Sequence, residues 1–223
     1  MSPKASPIRP VEKQSMDAVV AKRLREAILD GSLPLGTRLT EIDLAASLAI
    51  SRSTVRAGLK QLLSEGLVVL QPYTGWHVLT LNARDAYELF SLRSCLESLA
   101  SYLAAENIND DGRIQLNGAF KALKDAVHSA NDRAITDADL ALHKTIIDLS
   151  RHNRLRAHYA LVEQQFRILI ASSNAMLKRR SMIVKNHREL VDAICLGEAS
   201  KAEALARNHG SIMANALVAA LQP

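Results

Sequence analysis

Strand signals are confined to one short part of the sequence, and this restriction limits the fold more than any other feature. Residues 68–70 and 76–79 are β-prone runs, and residues 71–75 between them contain the Pro and Gly of a hairpin turn. After Asn82 the apolar residues recur with a period of about 3.6, which is typical of amphipathic helices. The sequence therefore predicts a mainly α protein with a single β-hairpin.

Helical patterns also precede the hairpin. The first runs from residue 17 to a glycine at 31; Thr40 can cap a short second helix, and Ser51 can cap a third. A short turn at residues 48–50 joins the second and third helices, as in a helix-turn-helix. We therefore predict a winged helix-turn-helix domain over residues 15–80, preceded by a disordered polar tail, residues 1–14.

The remainder, residues 81–223, is predicted to form an antiparallel all-helical bundle. Its helical segments are 83–105, 112–130, 133–150, 153–177, 180–196 and 199–221. The chain has 223 residues, which exceeds the usual size of one domain, so two domains are expected.

Charge and cysteine content exclude several classes of protein. The formal net charge is +5, and residues 1–80 hold ten Lys/Arg against seven Asp/Glu, so any DNA contact must come from local placement of charge. Cys95 and Cys195 lie in helical patterns far from any CxxC spacing, which argues against a disulfide scaffold, and we interpret Cys95 as a core residue. Without a long apolar run or a signal-peptide core, the protein is expected to be cytoplasmic and to have no membrane partner.

The third predicted helix carries Arg52, Arg56 and Lys60 at four-residue intervals, and they form a cationic stripe beside its apolar face. Arginine can make a two-pronged contact with guanine in the major groove, while lysine and hydroxyl groups suit phosphate oxygens. The alternative is a solvated charged face. The candidate DNA-binding residues are Arg38, Ser51, Arg52, Ser53, Thr54, Arg56 and Lys60.

Asp139 and His143 lie four residues apart on a predicted helix and share one face. His187 precedes Gly197 by ten residues, and His209 follows the expected start of the last helix by ten, so an antiparallel hairpin brings the two rings level. One carboxylate and three imidazoles suit a divalent Zn, Ni, Mn or Fe ion with positions left for water or an effector carboxylate. The alternative is that seven histidines produce such a spacing by chance.

The N-terminal part closely resembles the GntR family of bacterial regulators. The segments that carry the resemblance are residues 24–31, 36–41, 51–56 and 65–68. The resemblance implies that Arg52 and Arg56 read bases, that the hydroxyls around Ser51 support backbone contacts, and that Gly75 shapes the tip of the wing. Where many members have a DNA-contacting Arg this chain has Ile42, so that contact is lost or comes from Arg38.

A glycine inside the third helix has no explanation in the sequence. Gly58 should cost about 1 kcal/mol relative to alanine in a helix interior.

The C-terminal part looks like the FCD ligand-binding domain of the FadR subfamily. The segments that carry this resemblance are residues 92–97, 139–143 and 150–155, followed by His187 and His209. In many members the positions of Asp139, His143, His187 and His209 bind metal, and all four hold competent ligands here. Arg93 is expected to point into the cavity and bind an effector carboxylate; the alternative is an ion pair with Glu97 on the helix surface.

These patterns together predict a homodimeric transcriptional regulator on a two-fold symmetric operator of double-stranded DNA. A small carboxylate is expected to enter the bundle and contact the metal and Arg93. Repression relieved by the effector is the commoner behaviour that the family implies, and activation is the alternative. Three alternatives remain open at this point: a metal-dependent enzyme, a regulator that senses the metal itself, and a purely structural metal that holds the helices of the bundle together.

Overall fold

The computed structural model describes residues 15–129, 131–172 and 180–209. The first six elements are α1 (Met16–Leu29), β1 (Arg38–Leu39), α2 (Glu41–Leu48), α3 (Arg52–Ser64), β2 (Val68–Gln71) and β3 (Gly75–Val78). Helices then follow without strands: α4 (Ala83–Asn107), α5 (Asp110–Ser129), α6 (Asp132–Leu149), α7 (Asn153–Ser172), α8 (Arg180–Cys195) and α9, described over residues 199–209. The predicted mainly α fold with an N-terminal winged helix-turn-helix is confirmed.

Local signals place the helix-turn-helix as expected. The Thr40 side chain accepts a hydrogen bond from the Asp43 N–H and caps α2, and Ser51 Oγ accepts one from the Thr54 N–H at 3.2 Å and caps α3. Between the two helices Ala49 adopts a left-handed conformation with a φ of 54°, which ends α2 and turns the chain.

The sheet has one more strand than the sequence predicts. Its order is β1-β3-β2, both pairs are antiparallel, and Arg38 pairs with His77 while Leu70 pairs with Trp76. Because β1 contains two residues, it has no alternating pattern that a sequence could reveal. The hairpin of β2 and β3, called the wing below, is confirmed.

The first core lies among α1, α3 and the sheet, and Val55, Leu59 and Leu62 are fully buried in it. Gly58 lies where α3 crosses α1. A Cβ on Gly58 would come within 2.8 Å of Val20 Cγ1 and 3.2 Å of the Ala21 backbone nitrogen. The tertiary structure therefore explains this glycine, because the two helices approach too closely for a side chain.

The second core fills the helical bundle, with Leu116, Phe120, Ile146 and Tyr159 among its buried residues. The inner face of helix α4 is mixed, since it buries two charged residues and two serines together with apolar residues such as Leu89 and Phe90; the buried polar residues are Arg93, Glu97, Ser98 and Ser101. Its outer face exposes Leu92, Cys95 and Leu99. The interpretation of Cys95 as core is therefore wrong, because the face of α4 that carries Cys95 points away from the bundle.

Helix α7 joins the two cores. Ile168 is buried within the N-terminal cluster, and the Gln165 amide lies so close to Gly66 that a Cβ on Gly66 would be 2.2 Å from Gln165 Nε2.

None of the helices in the described ranges is long and apolar enough to cross a membrane.

Candidate nucleic-acid interface and metal centre

The outer face of α3 presents the predicted cationic stripe to solvent. The side chains of Arg52 and Arg56 are 60% and 53% exposed, and Lys60 continues the row one turn later. The opposite face of the same helix supplies the buried Val55, Leu59 and Leu62. The core therefore fixes which side of α3 is free to enter a DNA groove.

A carboxylate that the sequence analysis did not select holds one of these arginines. Glu41, in the first turn of α2, accepts hydrogen bonds from Arg56 Nε at 2.8 Å and Nη2 at 2.7 Å. Its carboxylate also accepts one from Trp76 Nε1 at 3.2 Å and lies 4.0 Å from Arg52 Nη2. The hydrogen bond from Arg56 lowers the pKa of Glu41 and keeps it ionised.

The three hydroxyl groups at the start of α3 form one cluster. Ser51 Oγ lies 2.8 Å from both Ser53 Oγ and Thr54 Oγ1. Because Ser51 Oγ also caps the helix, the residues most open to a DNA phosphate are Ser53, which is exposed, and Thr54, which is half-buried.

The wing turn contains two residues with a positive φ, and the predicted Gly75 is one of them. Gly75 has a φ of +89° and begins β3, directly after the turn at residues 72–74. Tyr73 has a φ of +65°, rare for a residue with a side chain, and it is fully exposed. Arg38 is exposed in β1, beside β3.

The structure brings three predicted metal ligands together in the bundle. One ring nitrogen from each of His143 on α6, His187 on α8 and His209 on α9 lies within 4.8 Å of the other two. His143 and His187 are each 2% exposed. Imidazoles at this separation can bind one ion, since metal–nitrogen bonds are about 2.1 Å long.

Hydrogen bonds on the far side of two rings fix their tautomers. His143 Nδ1 lies 3.1 Å from Glu97 Oε1, and His187 Nδ1 lies 2.8 Å from the Ile183 carbonyl oxygen, so both Nδ1 atoms act as donors. Their Nε2 atoms then turn lone pairs towards each other across 3.1 Å. Two facing lone pairs repel, and a shared proton or a cation between them removes the repulsion.

The other two members of the set complete the fit. His209 Nδ1 is buried and, within the described residues, has no hydrogen-bond partner, which is costly for a polar atom unless something binds it. Asp139 Oδ1 lies 3.1 Å from His187 Nε2, and Asp139 Oδ2 lies 4.0 Å from His143 Nε2. One carboxylate and three imidazoles therefore converge on one point from three helices.

The protonation of these groups follows from burial and charge. Burial alone would raise the pKa of Asp139, but His187, His143 and Arg93 together outweigh it and hold that pKa below its ordinary value. For His187 burial lowers the pKa, but the Asp139 carboxylate, the Ile183 carbonyl and Glu97 together more than compensate, so the net shift is upward. Burial and the two neighbouring rings lower the pKa of His209, which is therefore neutral and able to bind a metal.

Arg93 is both buried and paired. Its Nε donates to Glu97 Oε1 at 2.6 Å, its guanidinium carbon lies 3.7 Å from the centre of the Phe166 ring, and Tyr159 donates its hydroxyl to the same Glu97 oxygen at 2.7 Å. The ion pair with Glu97 that was the alternative to effector binding is present. It lies inside the bundle, however, with 6% and 5% of the side chains exposed, and not on a helix surface.

The fold defines a winged helix-turn-helix protein with a C-terminal helical domain. The family model for bacterial regulatory proteins of the gntR family matches residues 17–78, and the model for the FCD domain matches residues 88–211. The chain therefore belongs to the GntR family of bacterial transcriptional regulators, in the FadR-like branch that carries an FCD domain.

Known relatives and structures agree with this assignment. A "Probable D-xylose utilization operon transcriptional repressor" of Paenarthrobacter nicotinovorans is 30% identical over 203 residues, which cover 88% of each chain. The gluconate operon transcriptional repressor of Bacillus subtilis is 26% identical and covers 84% of this chain and 79% of its own. The crystal structure of a GntR transcriptional regulator from Rhodococcus sp. RHA1 shares the fold, with a TM-score of 0.80, 24% identity and coverage of 94% and 100%.

The relatives are named as transcriptional repressors and regulators, and the family model describes regulatory proteins, so this chain is a DNA-binding transcriptional regulator and not an enzyme. GntR regulators bind DNA, and FCD domains bind small effectors.

Proposed function

We propose that this regulator is a cytoplasmic homodimer that represses transcription from a two-fold symmetric operator and releases DNA when a small carboxylate binds its helical domain. In this proposal the DNA-binding domain comprises residues 15–80 and the effector-binding domain residues 81–223. The observation that carries the DNA-binding part is the exposed row of Arg52, Arg56 and Lys60 on the second helix of the helix-turn-helix.

The DNA contact divides between bases and backbone. We assign base recognition to Arg52 and Arg56, because a guanidinium can donate two parallel hydrogen bonds to guanine. The phosphate contacts are assigned to the lysine and the hydroxyl cluster on α3, to the arginine of β1 and to the wing turn. These residues are Arg38, Ser51, Ser53, Thr54, Lys60 and Gly75.

Arg52→Ala tests this assignment in a gel-shift assay with a duplex that the wild-type protein selects from a random pool. We expect weaker binding by about tenfold and a relaxed base preference, since one good two-pronged contact contributes about 1–3 kcal/mol of discrimination. Arg154→Ala is the matched control, because it removes the same charge from an exposed site on α7. Full affinity and full selectivity in Arg52→Ala would refute the base-reading role of α3.

For the sensing part, we propose that Asp139, His143, His187 and His209 hold a divalent ion. Support comes from the facing Nε2 atoms of His143 and His187 and from the partnerless buried His209 Nδ1. Such an ion, when bound, would supply open coordination positions to an oxygen ligand. Glu97 and the Ile183 carbonyl orient two of the rings from behind, as outer partners of metal-binding histidines commonly do.

The charge of the buried cluster favours an anionic effector. In the metal-binding form the imidazoles are neutral and contribute nothing, so +1 from Arg93 and −1 each from Glu97 and Asp139 sum to −1 for the protein groups. A divalent ion changes the sum to +1, and a monocarboxylate then neutralises the site. The relative from Bacillus subtilis is named for a gluconate operon, and gluconate is a small carboxylate of this kind.

Elemental analysis and native mass spectrometry of gently purified protein test the sensing part. We expect about one divalent ion per chain together with a co-purified small acid, and no ion in His187→Ala. A protein that carries metal but whose operator affinity changes with the metal alone would be a metal sensor and would overturn the carboxylate proposal.

The outer face of α4 supports the proposed dimer. Leu92, Cys95 and Leu99 form an exposed apolar stripe with no partner among the described residues. If a second copy packs antiparallel about a two-fold axis at Cys95, Arg84 faces the partner's Glu106, because both positions lie eleven residues from Cys95. Self-complementary charges at both ends of an apolar stripe are what an isologous interface requires.

Oxidative cross-linking tests this packing, because Cys95 would meet its own copy at the axis. We expect a covalent dimer from the wild-type protein and none from Cys95→Ser, with the non-covalent dimer retained in both. Sedimentation of the wild-type protein as a monomer at DNA-binding concentrations would refute the dimer.

A further inference from the structure

Glu41 joins three parts of the DNA-binding domain: it lies on α2 and contacts Arg56 on α3 and Trp76 on β3. We propose that Glu41 is a positioning residue for DNA recognition, which holds Arg56 so that the outer edge of its guanidinium faces a guanine. This inference rests on the proposed contact between α3 and DNA and adds a residue that makes no DNA contact itself.

The geometry of the pair leaves Arg56 free to read a base. A guanidinium has five N–H donors, and the contact with Glu41 uses the edge formed by Nε and Nη2. The outer edge, formed by Nη1 and the second hydrogen of Nη2, stays available. That edge presents two parallel N–H groups, which match the N7 and O6 acceptors of guanine in the major groove.

The carboxylate is fixed in place by the core of the domain. The Glu41 side chain is 14% exposed, and it accepts a hydrogen bond from Nε1 of Trp76, which is buried in the N-terminal core. The contact therefore aligns a long, flexible arginine side chain with the folded domain before DNA arrives. Arg52 lies 4.0 Å from the same carboxylate and is held less tightly.

The pair also changes what Arg56 contributes. Glu41 cancels one positive charge next to the groove, so Arg56 adds more to base discrimination than to the general attraction of phosphates. Removal of the carboxylate charge should therefore raise affinity for DNA of any sequence and lower discrimination. If the substitution only destabilised the fold, both the affinity for DNA of any sequence and the discrimination between sequences would fall. The two measurements therefore separate a positioning role from an effect on stability.

The experiment uses the full chain, a duplex that the wild-type protein selects from a random pool and a scrambled duplex of equal length. For Glu41→Gln we expect the selected-to-scrambled affinity ratio to fall about tenfold. Affinity for the scrambled duplex should rise about twofold. The slope of log affinity against log salt concentration should become steeper by up to about one released counterion. Asp43→Asn is the matched control, because it removes an exposed acid from the same turn of α2.

A double variant decides whether Glu41 acts through Arg56. In an Arg56→Ala background, Glu41→Gln should leave the affinity ratio unchanged, because there is no longer a guanidinium to position. An equal further fall in that background would overturn the inference. If Arg56→Ala loses selectivity but Glu41→Gln retains it, only the positioning role fails; if Arg56→Ala itself retains selectivity, the proposed base contact fails.

Discussion

Gly58→Ala is the substitution whose effect the tertiary structure reverses. In an isolated helix alanine is more stable than glycine by about 1 kcal/mol, so helix propensity alone predicts that this change stabilises the protein. In the structure the new methyl group would lie 2.8 Å from Val20 Cγ1 and 3.2 Å from the Ala21 nitrogen. We expect the opposite sign, a loss of stability.

The magnitude follows from the two distances. Carbon atoms in contact are normally about 3.5–4.0 Å apart, so the methyl group overlaps Val20 by roughly 0.7 Å. Valine is stiff at χ1 in a helix, and the second contact is backbone, so α1 must move as a unit. Overpacking of this kind costs about 1–3 kcal/mol, which outweighs the propensity gain, and we expect a net loss of about 1–2 kcal/mol.

Urea unfolding measures this loss. Trp76, the one tryptophan of the chain, lies in the N-terminal core with α1 and α3, so its fluorescence reports on unfolding of that domain. Gly118→Ala is the matched control, since Gly118 is exposed inside α5 and a Cβ there meets no atom within 4 Å. By circular dichroism we expect it to stabilise by about 0.5–1 kcal/mol. Stabilisation by Gly58→Ala, as for Gly118→Ala, would refute the close-approach argument.

Three further predictions concern the buried cluster of the bundle. Tyr159→Phe removes a hydrogen bond to the buried Glu97 carboxylate and should cost about 1–3 kcal/mol in urea unfolding, whereas Tyr73→Phe at the exposed wing tip should change it by less than about 0.5. The pKa values of Glu97 and Asp139 in the folded protein lie below the ordinary values for these side chains, which are about 4. The two carboxylates therefore contribute their full stabilisation above about pH 4, and this contribution should be lost as the pH falls below about 4. A metal-free protein that is equally stable at pH 5 and pH 2.5 would contradict this prediction. Zinc or nickel at about a hundred times its dissociation constant should stabilise the wild-type protein by about 2.7 kcal/mol in thermal melting. The same metal should leave the stability of His143→Ala unchanged. An equal shift in both proteins would rule out the histidine cluster as the binding site.

Features that depend on residues close together in the chain could be predicted from the sequence alone. The caps at Thr40 and Ser51, the hairpin and the helical periodicity after Asn82 are interactions between residues close in the chain, so they leave a pattern that no distant contact needs to complete. The same holds for the stripe of Arg52, Arg56 and Lys60, because residues four apart share one helix face.

Tertiary structure decided the features that depend on distant residues. The two-residue strand β1 exists because β3 pairs with it, and Gly58 is required because α1 crosses there. Glu41 contacts an arginine fifteen residues away and a tryptophan thirty-five residues away, and neither separation leaves a periodic signal. Burial of the Arg93–Glu97 pair and exposure of Cys95 likewise depend on which face of α4 meets the bundle, and the mixed composition of both faces hides that choice until the helices pack.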